Sequence, residues 1–329
     1  MVASAAILFA AVIFVRPAHA QADPNTLPRV VNAVHCEPHT ASAFYWNALR
    51  DLVASADSHQ LRLSIQFAPQ WVDFVVADPN RVATVRQWEG AGHEIGGHHH
   101  SITHDISWDG YSSDPNAVFS SRDPGYLGDM AAYIAAVNAI AAPGETVRVV
   151  SAKDDDFPPD TPYQTGGDYD PTPENGLTQP TIKVLNGQAV WSVGLGPLVR
   201  GSRNNVPVFR NLYLSANADD VLGAAFHAND WADNQAAIES WFAFLASQDP
   251  TGARSVTAGM LFGGLLIPGD ADADQDVDLS DLALLLSAFG NCEPDAGYDA
   301  GADFNHDGCV DLTDLAQLLS NFGLMLAGS

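Results

Sequence analysis

The chain has 329 residues and carries 40 acidic against 14 basic side chains, for a formal net charge of −26. So acidic a chain argues against nucleic acid or an anionic membrane surface as the partner, because both require a positive face. The length suits one large domain and one small module rather than a single fold throughout.

Residues 5–15 form an apolar run of about eleven residues, closed by Ala18-His19-Ala20. That is the pattern of a secretory signal peptide, here residues 1–20, and it is too short to span a bilayer. The mature protein is therefore expected to be exported, either secreted or held at the cell surface. Arg29 to Val34 is an apolar strand candidate, residues 41–57 carry helical spacing, and residues 61–67 alternate as a strand. Residues 80–91 read as a helix that leads through Glu94 into a run of histidines, and residues 129–140 read as another helix. Residues 147–150 follow as a strand, and residues 154–181, rich in Asp, Pro and Gly, as a long loop. Residues 182–185, 189–193 and 221–226 are strands, 231–247 a helix and 253–258 a last strand. Strands alternating with helices predict an α/β domain with parallel strands, as a sheet or a barrel.

The segment from Gly92 to Asp105 holds His93, His98, His99, His100 and His104. So many imidazoles in so short a stretch point to a metal, since imidazole is the commonest zinc ligand and a catalytic zinc takes three protein ligands. His100 and His104 share a face if the stretch is helical, and His98 and His104 converge if it is a loop. With its Gly-His-Glu-Ile-Gly motif, an apolar strand and a helix before it, the segment resembles the polysaccharide deacetylase (NodB homology) family, over roughly residues 28–262. The resemblance implies an irregular (β/α) barrel, zinc or another divalent metal, and removal of acetyl groups from carbohydrate. It implies metal ligation by Glu37 together with either His100 and His104 or His98 and His104. It also implies His227, beside Asp230, as general acid. The chain departs from the family where an Asp-Asp pair should close the first strand: His35-Cys36-Glu37 stands there instead. Cys36 occupies the place of the base and His35 is the adjacent candidate. The alternative to an enzyme is a non-catalytic glycan- or partner-binding protein on the same scaffold.

Residues 263–268 read as a short linker. Beyond it the pattern of Asp270, Asp272, Asp274, Asp276, Asp278 and Asp281 returns 33 residues later as Asp303, Asn305, Asp307, Cys309, Asp311 and Asp314. Oxygen side chains at positions 1, 3, 5, 9 and 12 have the spacing of a calcium loop, and an apolar helical run follows each loop. Residues 269–323 thus resemble a type I dockerin, a small all-α module of two calcium loop–helix repeats. The resemblance implies two calcium sites with the residues above as ligands, position 7 (Asp276 and Cys309) contributing its backbone carbonyl. It further implies a cohesin-like or cell-surface partner. Gly308 occupies position 6 of the second loop and Gln275 that of the first, which predicts the first site to be the weaker. Cys292 and Cys309 share this module and are expected to pair, leaving Cys36 alone.

Overall fold

The computed structural model describes residues 26–104, 107–166, 172–263, 265, 267–305 and 307–326. The signal peptide expected at residues 1–20 lies outside them.

The first half alternates strand and helix. Strand β1 (Arg29–Cys36) leads to α1 (Ala43–Ser58), whose first turn is capped by the Ser42 hydroxyl accepting from the Tyr45 N–H. Then come β2 (Leu63–Phe67), α2 (Pro69–Val76), α3 (Pro79–Gly90) and β3 (Glu94–His98). Helices α2 and α3 both start on proline, which is preorganised for a first turn. Helix α4 (Met130–Val137) is capped by Asp129 and is followed by β4 (Val149–Ser151) and β5 (Tyr163–Thr165). Strands β1 and β2 are buried along nearly their whole length, as strands covered on both faces should be.

After a short β6 (Leu177–Thr178), strands β7 (Thr181–Leu185) and β8 (Gln188–Val193) form a hairpin. It turns at Asn186 and Gly187, both at positive φ (52° and 80°), the conformation of a tight hairpin loop. Three two-residue strands follow: β9 (Gly196–Pro197), β10 (Val199–Arg200) and β11 (Arg203–Asn204). Helix α5 (Val206–Ser215), β12 (Val221–His227), α6 (Asp230–Gln248) and α7 (Ala258–Phe262) complete this part. Helices α8 (Leu279–Ala288) and α9 (Leu312–Asn321) each follow one of the acidic loops.

The main sheet has the order β6-β12-β1-β2-β3-β4-β5-β8-β7, with β9 beside β12, and β10 and β11 pair separately as an antiparallel ribbon. From β12 to β8 every neighbouring pair is parallel, and β6 and β7 pair antiparallel at the two ends. Because β1 to β5 lie side by side in chain order, the sheet is wound like a barrel and not doubly wound. Strands β8 and β12 do not pair with each other; β9, just after β8, pairs in parallel with β12 and bridges that seam. The result is an α/β, barrel-like fold with an irregular closure.

The polar and apolar ends of this sheet differ. Glu37, His98 and His227 sit at or just past the C-terminal ends of β1, β3 and β12. The opposite end is closed by α7. Its first N–H groups, those of Ala258 and Gly259, donate to the Glu94 carboxylate at 3.1 and 2.7 Å. Its Phe262 ring packs against Tyr163 and Trp191 at centroid distances of 5.1 and 6.4 Å. Phe262 and Ile267 belong to one apolar cluster that continues into Val277, Leu285, Val310 and Leu318 of the acidic repeats. The C-terminal helices are therefore packed on the base of the sheet, and Ile267, inside the segment read as a linker, is buried.

The repeats interlock. Val310 N–H donates to Asn291 O at 3.0 Å, Gly290 N–H to Val310 O at 2.8 Å and Glu293 N–H to Gly308 O at 2.8 Å. The same three bonds recur 33 residues away. Val277 N–H donates to Leu324 O at 2.9 Å, Gly323 N–H to Val277 O at 2.8 Å and Leu326 N–H to Gln275 O at 3.0 Å. Each acidic loop is thus clamped by the chain that leaves the other repeat's helix. In one of these clamps Cys292 and Cys309 form a disulfide; in the other the equivalent residues are Met325 and Asp276.

Several elements differ from the sequence reading. Residues 154–181, read as loop, contain β5 and β6, which are too short to show a periodicity. Residues 253–258, read as a strand, make only a single bridge, Ser255 to Val30. There the Thr257 hydroxyl accepts from Met260 N–H at 3.1 Å and starts α7, so local capping prevails over β propensity. Helices α2 and α5 carry no clear signal along the chain; each is short and opens near a proline that reads as a breaker in isolation.

Candidate metal centre

Strand alternation builds the centre. On β1, His35 and Glu37 point to one side and Cys36 to the other, where its thiol is wholly buried in the core. On β3 the alternation continues past the strand end, because His99 N–H still donates to Ser151 O of β4 at 2.9 Å. His98 and His100 consequently face the same way, and His99 faces opposite. Gly96 and Gly97 permit the close approach of this segment: a Cβ on Gly96 would stand 2.7 Å from Val149 Cγ1, and one on Gly97 2.9 Å from the Tyr133 hydroxyl.

Glu37, only 8% exposed, is the hub. Its Oε2 lies 2.7 Å from His100 Nε2, and its Oε1 lies 3.1 Å from His227 Nε2 and 3.5 Å from His98 Nε2. One ligand atom from each of Glu37, His98 and His100 can be chosen so that all lie within 4.8 Å of one another, and these three residues could hold a divalent ion. The polar atoms fit such an ion. Nδ1 of His98 and Nε2 of His35 are buried without a hydrogen-bond partner, and His98 Nε2 meets only the Glu37 carboxylate at 3.5 Å, an arrangement that is costly unless something else satisfies these atoms.

The charges are set by burial and by these contacts. Burial opposes ionisation of Glu37, yet His100, His227 and His98 hold its carboxyl well below the usual range. Burial first, then the neighbouring His98 and His227, lower the His35 imidazole well below its ordinary value, so that ring is neutral. His98 falls to about 4, again chiefly through burial. His227 moves the other way: burial disfavours its charge, but Asp230 and Glu37 outweigh that and raise it to about 10. Asp230 Oδ2 receives both the His227 N–H (2.9 Å) and Nδ1 (2.8 Å), which fixes the ring, and the side chain is 26% exposed. His35 stacks on His98 at a centroid distance of 4.1 Å and meets His227 edge-on at 5.7 Å.

His104 stands beside this set, its ring centroid 4.1 Å from that of His100, but it is not among the three converging ligands. Spacing alone allows His100 with His104 or His98 with His104; in the structure the ligand atoms that converge with Glu37 are those of His98 and His100. The reason is that residues 98–100 extend a strand, so the face-sharing interval is two residues, not four. Sequence reasoning misses Asp109 and offers Asp156 only as one of a run, Asp154 to Asp156, that could supply a carboxylate; the two flank His99 on its buried side, with His99 Nδ1 2.9 Å from Asp109 Oδ2 and Nε2 3.1 Å from Asp156 Oδ2. Burial works against a charge on this ring, but the two carboxylates prevail and raise it to about 9. An Asp ten residues from a His carries no local signal, and Asp156 stands out only as a member of an acidic run.

In the C-terminal loops, positions 1 and 12 turn inward. Asp270 accepts from Asp274 and Gln275 N–H at 3.1 and 3.0 Å, and Asp303 from Asp307 and Gly308 N–H at 3.3 and 2.9 Å. Asp281 and Asp314, both fully buried, accept from the N–H groups of Ala271 and Phe304 at 2.7 and 2.8 Å and close their loops. In the first loop Asp270, Asp272 and Asp274 converge, as do Asp276, Asp278 and Asp281. Burial, followed by like-charge neighbours, raises Asp272 and Asp276, the direction that crowded carboxylates take without a counter-charge. Residues 269–323 contain no Lys or Arg to supply one. Asp278 and Asp311 each cap the following helix by accepting from Ser280 and Thr313 N–H, at 2.6 and 2.7 Å. No helix among the described residues is long and apolar enough to cross a membrane.

No family model matches the chain, and no curated protein matches it. Solved structures with similarity include a probable polysaccharide deacetylase from Pseudomonas aeruginosa, at 10% identity and a TM-score of 0.45 over 71% of this chain and 88% of that one. The Puue allantoinase matches at 11% identity and 0.45, over 71% and 87%. A CE4 family pseudoenzyme from Bacillus anthracis matches at 12% and 0.37, over 69% and 63%.

Proposed function

We propose that the chain is an exported, divalent-metal-dependent carbohydrate deacetylase-like hydrolase, attached to its partner through a calcium-binding dockerin-like module. The observation that carries this reading is the convergence of Glu37, His98 and His100 at the C-terminal rim of a parallel sheet, where such folds place their sites. A bound divalent ion supplies Lewis acidity toward an acetyl carbonyl and toward water. Glu37, His98 and His100 hold it. His35, with a buried and unpartnered Nε2, takes the proton of the attacking water. His227, oriented by Asp230, donates a proton from Nε2 to the departing amine or alcohol of the sugar.

The acidic loops supply two calcium sites in this reading, Asp270 to Asp281 and Asp303 to Asp314. The paired exposed side chains Leu279 and Leu312, Leu286 and Leu319, and Phe289 and Phe322 recur 33 residues apart. They form the face for a cohesin-like or cell-surface protein. Such twin apolar positions on short surface helices support a docking role.

The test is acetate release from acetylated xylan and chitooligosaccharide by the full chain in zinc, beside His227→Ala. Release that falls by about 10²-fold or more in the variant is expected for loss of a general acid. Binding of the glycan without acetate release would replace this reading with the non-catalytic one. That second reading is favoured by Cys36, whose thiol turns into the core and leaves no carboxylate where the resembled family has its base.

A further inference from the structure

We propose that His99, gripped between Asp109 and Asp156, is the positioning residue of the metal centre: it fixes the direction in which His98 and His100 present their rings to Glu37. The inference rests on the reading of Glu37, His98 and His100 as metal ligands.

The ring of His99 is wholly buried, and each of its nitrogens meets a carboxylate from a different segment, Asp109 at 2.9 Å and Asp156 at 3.1 Å. Both carboxylates are themselves fixed. Asp109 Oδ2 also accepts the His100 N–H at 2.9 Å, Asp109 N–H donates to His100 O at 3.2 Å, and Asp109 Oδ1 accepts from Tyr111 N–H at 3.0 Å. Asp156 accepts from the Ser112 hydroxyl at 3.1 Å and from Ser113 N–H at 2.5 Å. The far face of the imidazole rests edge-on against Tyr133, at 5.2 Å between centroids.

Asp109 thus holds the peptide of a ligand residue, His100, and the ring of the residue before it with one oxygen. The strand pairing holds the same segment from the other side through His99 N–H and Ser151 O. Alternation along the strand then leaves His98 and His100 one orientation, toward Glu37. An ionic triad in a buried position is a poor way to gain stability, since apolar side chains of equal volume do as well or better. What the triad adds is a defined backbone direction beneath two metal ligands, the role that outer residues have around other metals, where their loss weakens binding roughly 10- to 100-fold.

The test is zinc affinity by chelator competition on the full chain with calcium saturating, for wild type, Asp109→Asn, Asp156→Asn and Asp156→Glu. The visible spectrum of the cobalt-substituted proteins is recorded alongside. Both Asn variants are expected to bind zinc on the order of 10- to 100-fold more weakly and to show a changed cobalt spectrum. Asp156→Glu, which restores a carboxylate, is expected to recover part of the loss. A residue that only supports the fold would lower the melting temperature of the metal-free protein and leave the zinc constant and the cobalt spectrum alone. A folded Asn variant with a zinc constant within twofold of wild type overturns the proposal. If Asp109→Asn does not fold, Asp156→Asn carries the same decision, because Asp156 bonds no ligand residue. Wild type that takes up no zinc overturns the metal reading and this role together; wild type and folded variants that bind alike overturn this role alone.

Discussion

Glu37, His98 and His100 come from the ends of β1 and β3, which are brought near each other by β2 between them, whereas each acidic loop draws all its candidate ligands from twelve consecutive residues. The first centre exists only if the whole sheet is in register. The second needs a local turn, an inward carboxylate at positions 1 and 12, and the other repeat's tail to clamp it. The comparison teaches that one chain can gather an oxygen-rich cluster by local spacing and a nitrogen-rich one by tertiary pairing. The two should therefore fail independently.

The largest effect tests that independence. Glu37→Ala is expected to abolish zinc uptake while calcium remains at two per chain, and Asp281→Ala with Asp314→Ala to do the reverse. Elemental analysis after dialysis against both metals reads the outcome, and one substitution emptying both centres would break the comparison. Next in size is Leu318→Ala, a wholly buried side chain in the cluster shared by α9 and the base of the sheet. The expected cost is about 2–5 kcal/mol. Denaturant unfolding followed by tryptophan fluorescence should show the sheet's transition shifting as well, because Trp191 belongs to that cluster. A shift confined to the helical signal would make the repeats a separate unit.

The two repeats sharpen the comparison further, since a disulfide reinforces only one of their equivalent clamps. Reduction of Cys292–Cys309, which closes a 17-residue separation, should cost about 3 kcal/mol and, if the acidic loops bind calcium as proposed, weaken binding at the second loop more than at the first. Calorimetric calcium titration with and without reductant checks this, and equal weakening of both sites would count against it. The smallest effect concerns position 6. Gln275 sits at φ 78° and Gly308 at φ 89°, a region where a side chain is strained. Gln275→Gly should relieve roughly 1 kcal/mol and raise calcium affinity at the first loop about fivefold. An unchanged titration would show that the strain is released elsewhere.

Much of this protein is legible along the chain. The apolar runs of β1 and β12, the spacing in α1 and α6, and the position 1 to 12 pattern of both loops act through the nearest backbone turns, so their period survives in the sequence. The centre at the rim is legible only in part. His98, His100, Glu37 and His227 stand out by residue type, but which of them meet does not. Spacing offers His100 with His104 or His98 with His104, whereas the convergence of His98 with His100 depends on residues 98–100 continuing a strand, which the His99 N–H bond to the Ser151 carbonyl of β4 extends. Asp109 has no signal and Asp156 only that of an acidic run, because their partner His99 is reached through folded loops and not through spacing.

The sequence by itself determined the charge, the acidic repeats, the pairing of residue types that could hold metals, and the alternation of strands with helices, since each depends on composition or on neighbours a few residues apart. The tertiary structure alone decided the sequential strand order, the irregular seam at β9, the set of Glu37, His98 and His100, the grip on His99 and the packing of the repeats against Phe262. These depend on long-range strand pairing and on apolar surfaces that find each other only once the chain has folded.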